Sequence, residues 1–133
     1  MSIKKLFFKE KQYLYIKVYE NKIVATDLDS RKEIECIAKQ LFSTQRLLIG
    51  NFENTVACLK EVLAGFSSSD IKPMSLILIQ PMEKSEKISH VEKQVLEELA
   101  LEAASTNLYI PVVKLNLKEN LSNEEALQLL KKG

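Results

Sequence analysis

The strict alternation from Tyr13 to Tyr19 limits the fold of this chain more than any other feature. Leu14, Ile16 and Val18 point to one side of an extended segment, while Tyr13, Tyr15, Lys17 and Tyr19 point to the other. Glu20-Asn21 follows, and asparagine tolerates the left-handed conformation that a tight turn demands. Ile23 to Leu28 then returns as a second strand. Asp27-Leu28-Asp29-Ser30 turns the chain again, and Ile34 to Ala38 reads as a third strand carrying Cys36. The chain therefore opens as a run of short antiparallel strands.

Beyond this run the period changes. Asn51 is a helix N-cap, and Phe52, Val56, Leu59, Leu63 and Phe66 recur at helical spacing; Gly65 suits the left-handed position after a helix end. Ser67 to Asp70 reads as a loop. Met74 to Gln80 is a nearly continuous apolar run closed by Pro81, the pattern of a strand covered on both faces. Ser89-His-Val-Glu92 has the form of a capping box, and Val91, Val95, Leu99 and Ala103 form the stripe of the helix it opens. Leu108 to Val113 predicts another strand, with Pro111 tolerable at a sheet edge. Ser122-Asn-Glu-Glu125 is a second capping box, ahead of a short helix through Leu127 and Leu130. The order βββαβαβα predicts one α/β domain over residues 1–133, a mixed sheet with flanking helices.

With 133 residues and 46% hydrophobic content, such a domain buries a real core. Nineteen basic residues against 18 acidic ones leave a net charge of +1, which removes the broad positive field of a dedicated nucleic-acid binder. No apolar run approaches the roughly 18 residues of a membrane span. Met1 to Lys11 is not a secretory signal, since its apolar stretch is too short. On a helix, Ile3 and Phe7 share a face with Leu6 beside them. Ile3, Leu6, Phe7 and Phe8 then belong either to a frayed terminus or to a short anchor at a membrane surface, weak unless multiplied by oligomerisation.

Chemistry-bearing residues are sparse. His90, the single histidine, sits at a helix start with no recognisable second ligand. Cys36 and Cys58 lie on apolar stretches and read as small buried hydrophobes, without a CxxC spacing for a structural metal. Neither GxGxxG nor GxxxxGK[ST] occurs, so no glycine-rich phosphate cradle is apparent. Asp27 and Asp29 suit either a divalent ion or a turn. The expectation is a chain that is not an enzyme and carries no cofactor. Tyr13, Tyr15 and Tyr19 share one strand face, where aromatic rows serve packing or partner contact more often than base stacking.

Taken together, these segments resemble the first subdomain of the bacterial actin-like MreB family, associated with rod shape, from the N-terminus to about Pro111. Leu14-Tyr-Ile-Lys-Val-Tyr-Glu-Asn-Lys-Ile-Val-Ala is similar to the opening hairpin that carries the first phosphate loop in actin-like ATPases. Ile49 to Lys60 is similar to the entry into the subdomain's first long helix. Met74 to Pro81 is similar to a strand ending in proline, and Ser89-His-Val-Glu-Lys93 to the capping turn after it. The resemblance implies a ribonuclease-H-like sheet. It places Lys17 where the family has an aspartate near magnesium, and Tyr19 where it has a phosphate-loop glycine. Lysine does not coordinate a cation and tyrosine blocks the backbone approach, so nucleotide turnover is not expected. The stretch from Met82 to Ile88 is longer than the family usually has there.

The function implied is a non-catalytic, cytoplasmic docking module for a filament or envelope protein. Tyr13, Tyr15 and Tyr19, or an open sheet edge, would make the contact, with self-association as a variant. Two alternatives remain open: an anion- or nucleotide-binding regulatory domain around Lys17 and Lys22, and a peripheral adaptor held at the inner membrane by residues 1–11.

Overall fold

The computed structural model describes residues 11–66, 74–106, 108–118 and 120–132. The elements are β1 (Lys11–Tyr19), β2 (Lys22–Asp27), β3 (Glu33–Ile37), α1 (Phe52–Ala64), β4 (Met74–Pro81), α2 (His90–Ala104), β5 (Val112–Leu115) and α3 (Asn123–Lys131). They form one five-stranded mixed sheet in the order β3-β2-β1-β4-β5. β1, β2 and β3 pair antiparallel, whereas β4 runs parallel to β1 and β5 parallel to β4. The N-terminal positions Ile3, Leu6, Phe7 and Phe8 and the predicted loop Ser67–Asp70 lie outside the described residues.

The alternation of β1 divides the core in two. Leu14, Ile16 and Val18 pack under α1 and α2 with Leu59, Val62, Leu96 and Leu99. Tyr15 faces the opposite layer with Leu28, Leu76, Leu78 and the α3 residues Ala126 and Leu130. β4 is an interior strand enclosed on both faces, from Leu76 at 9% exposed to Ile77 and Ile79 at 0%. Removing each such side chain from water contributes about 1.5–3 kcal/mol, which is why the apolar run at 74–80 takes an interior place in the sheet, between β1 and β5.

Several expectations shift. Phe52 faces solvent, and α1 instead buries Thr55, Val56, Cys58, Leu59 and Val62. Gly65 adopts φ −75° rather than a left-handed value. Its need is space, because a Cβ there would lie 2.5 Å from Ile34 Cδ1. The last strand begins after Pro111, not at Leu108. Proline has no N–H for the ladder. Just upstream, Thr106 Oγ1 accepts from the Leu108 and Tyr109 amides at 3.2 and 2.9 Å, so these residues turn instead of pairing. Both capping boxes form, on Ser89–Glu92 and Ser122–Glu125.

Candidate functional site

The tyrosine face contracts once α3 is in place. Tyr15 is 1% exposed, covered by the apolar side of α3, and is no contact for a partner. Its hydroxyl donates to Gln80 Oε1, which also accepts from Asn116 Nδ2 at 3.0 Å, while Gln80 Nε2 donates to the Lys118 carbonyl at 2.8 Å. Tyr13 packs against the same cluster, with the Lys131 ammonium 5.8 Å from its ring centre. Tyr19, at the strand end, remains half-buried. C-terminal residues distant in sequence thus turn the middle of this face into core and leave Tyr13 and Tyr19 half-buried.

Burial pushes the Tyr15 hydroxyl up to about 12 from an ordinary 10.0, with the neighbouring Tyr19 adding to the shift. A folded value above the unfolded one means stability that is complete below pH 10 and lost as pH climbs towards 12. Alkaline unfolding curves should therefore show a loss of about 2 kcal/mol across that window. Tyr15→Phe should flatten this part of the pH dependence. An identical alkaline slope in that variant would refute the assignment.

Lys17 and Lys22 stand apart in their engagements. The Lys17 ammonium lies 4.9 Å from the Tyr15 ring centre. Lys22 sits 4.5 Å from the Tyr19 ring centre and pairs with Glu35 at 3.4 Å. Between them, Asn21 takes the left-handed conformation at φ 54°. Its side-chain oxygen accepts from the Phe42 and Ser43 amides at 2.8 and 2.7 Å, and so fastens the loop after β3 to the hairpin tip.

That loop builds one wall of an apolar groove at the carboxyl ends of β1 and β4. Thr44 N donates to the Leu47 carbonyl at 2.8 Å, and Gly50 N to the Phe42 carbonyl at 2.7 Å. A Cβ at Gly50 would lie 2.3 Å from Thr44 Cγ2, so only glycine closes the loop this tightly. The opposite rim is Met82–Ile88, the stretch noted above for its length, with the helix start after it. Lys84, at φ 58°, donates to the Thr44 carbonyl and pairs with Glu20 at 3.1 Å. Leu47, Leu48, Ile49, Ile88, Val91, Val95 and Leu96 line about 220 Å³, with Glu83, Lys84 and Glu92 at the rim. Val91 is 65% exposed although its spacing marks it as core. The sequence signal for this site was present but divided between Val91 and the long β4–α2 connection.

Elsewhere, Asp27 takes the turn role: its Oδ1 accepts from the Asp29 and Ser30 amides at 3.0 and 3.2 Å. His90 is exposed as the first residue of α2. Among the described residues, no group of three or more His, Cys, Asp or Glu side chains converges to hold a metal, and no helix is long and apolar enough to cross a membrane. No protein-family model matches the chain, and no curated protein matches it.

Proposed function

We propose that the chain is a non-catalytic, MreB-like interaction module that docks on a cytoskeletal or cell-envelope protein. On the fold side, the antiparallel run β1–β3 continuing into parallel β4 and β5, with helices on both faces, supports a ribonuclease-H-like sheet. On the functional side, the observation that carries the reading is the groove. At about 220 Å³ it is smaller than the roughly 300–1,000 Å³ of pockets that enclose small ligands. It suits one or two apolar side chains of a partner segment, flanked by polar groups able to meet Glu83, Lys84 and Glu92. The engagements of Lys22 and the bulk of Tyr19 favour this reading over an anion site.

Val91→Glu places a charge in the groove at an exposed position, so the fold should keep its melting temperature. Charging a central contact costs about 2 kcal/mol of binding, roughly a thirtyfold weaker Kd. In an affinity capture read by mass spectrometry, the unaltered chain should enrich filament or envelope-synthesis proteins that Val91→Glu loses. Equal capture by both chains would remove the groove from the reading. If neither captures such proteins while ATP or phosphate raises the melting temperature, the ligand-binding alternative replaces it.

A further inference from the structure

The two cysteines, 22 positions apart, meet in space. Cys36 lies on β3, an outer strand of the sheet, and Cys58 on the face of α1 packed against it. Cys58 Sγ lies 3.5 Å from the Cys36 carbonyl oxygen. Both are free, at 9% and 4% exposure. Glu61, one turn after Cys58, has its carboxylate 3.3 Å from Cys36 Sγ and pairs with Lys39 at 3.5 Å.

We propose that Cys36 and Cys58 are an oxidation site, forming an internal disulfide that joins β3 to α1 when the chain meets a two-electron oxidant of the peroxide class. Cys36 reacts first, being on the outer strand and the more exposed of the two, although the Glu61 carboxylate beside it favours its thiol form. Its sulfur attacks one peroxide oxygen, the O–O bond breaks, and a sulfenic acid and water result. The Cys58 sulfur then attacks Cys36 sulfur; the S–S bond forms, the S–O bond breaks, and hydroxide leaves as water with the Cys58 proton. Two thiols lose two protons and two electrons, and hydrogen peroxide becomes two waters. Burial holds both thiols above their ordinary value, Cys58 at about 12, so the thiolate is scarce and the reaction is slow at neutral pH. The pair is therefore a site for sustained oxidation and not a rapid sensor.

The full chain is treated with hydrogen peroxide, unfolded in denaturant, alkylated with iodoacetamide and weighed. The expected product is a monomer lighter by two hydrogens that takes up no label, with a peptide linking Cys36 to Cys58 after digestion. In Cys58→Ala the reaction should stop at a sulfenic acid on Cys36, trapped by dimedone. Uptake of two labels after treatment, cross-linking only between chains, or over-oxidation of separate thiols each overturns the proposal. The decisive reading is made on the unaltered chain, so a variant that fails to fold does not obscure it.

Discussion

Replacing Tyr15 with serine is expected to unfold the protein, not to blunt a binding surface. The ring is 1% exposed between the sheet and α3, in contact with a cluster that includes Leu76, Leu78 and Leu130. Truncating a buried aromatic side chain costs about 3–5 kcal/mol, a large part of the roughly 5–15 kcal/mol that holds a domain together. The hydroxyl is the smaller share. Tyr15→Phe keeps the packing and leaves Gln80 Oε1 bonded to Asn116 at 3.0 Å, so its cost should be about 1–2 kcal/mol. Urea unfolding followed by circular dichroism separates the two: a large drop in midpoint for serine, a small one for phenylalanine. Tyr19→Ser, at the half-buried strand end, should cost under about 1 kcal/mol. A serine variant at position 15 as stable as the parent would mean that α3 does not cover the strand.

This contrast marks where the sequence was legible. Local patterns read well because they are determined locally: the two-residue period of β1, the Asn21 turn and the capping boxes at Ser89 and Ser122 depend only on neighbours within a few positions. The element order followed from them. What depended on long-range packing did not read. Nothing in the alternation of Tyr13 to Tyr19 says whether that face meets solvent, since α3 arrives from the far end of the chain. Val91 has core spacing yet faces an opening, because the wall opposite it comes from the loop around Leu47. Cys36 and Cys58 each read correctly as buried, while their contact required the register of β3 against α1. Gly65 looked like a left-handed cap and is a packing glycine, a distinction made only by Ile34.

Asn21 is the residue on which the groove rests, and its substitution should have the second large effect. It does two things that a turn preference alone does not require. The backbone sits at φ 54°, and the side-chain oxygen receives the Phe42 and Ser43 amides at 2.8 and 2.7 Å. Its own amide donates to Ser43 Oγ at 3.0 Å, and its carbonyl accepts from Ala38 N at 2.9 Å. Alanine loses the side-chain acceptor and pays about 1–2 kcal/mol for the left-handed backbone. Leaving amides without an acceptor costs about 1–3 kcal/mol each, so with two amides and the backbone the total for Asn21→Ala should be roughly 3–8 kcal/mol. Glycine removes the backbone strain but not the missing acceptor, and aspartate retains both functions. The expected stability order is therefore Asp close to Asn, then Gly, then Ala, measured by urea unfolding. Amide hydrogen exchange supplies the local reading: Phe42 and Ser43 should lose protection in the glycine variant even where the sheet amides keep theirs. Because Phe42 also receives the Gly50 and Asn51 amides on its carbonyl, loosening it releases the loop that carries Leu47, Leu48 and Ile49. Asn21→Gly should then weaken partner capture with the sheet still folded and Val91 unaltered. A glycine variant matching the parent in exchange and capture would show that the turn conformation, and not the side-chain anchor, is all that Asn21 supplies.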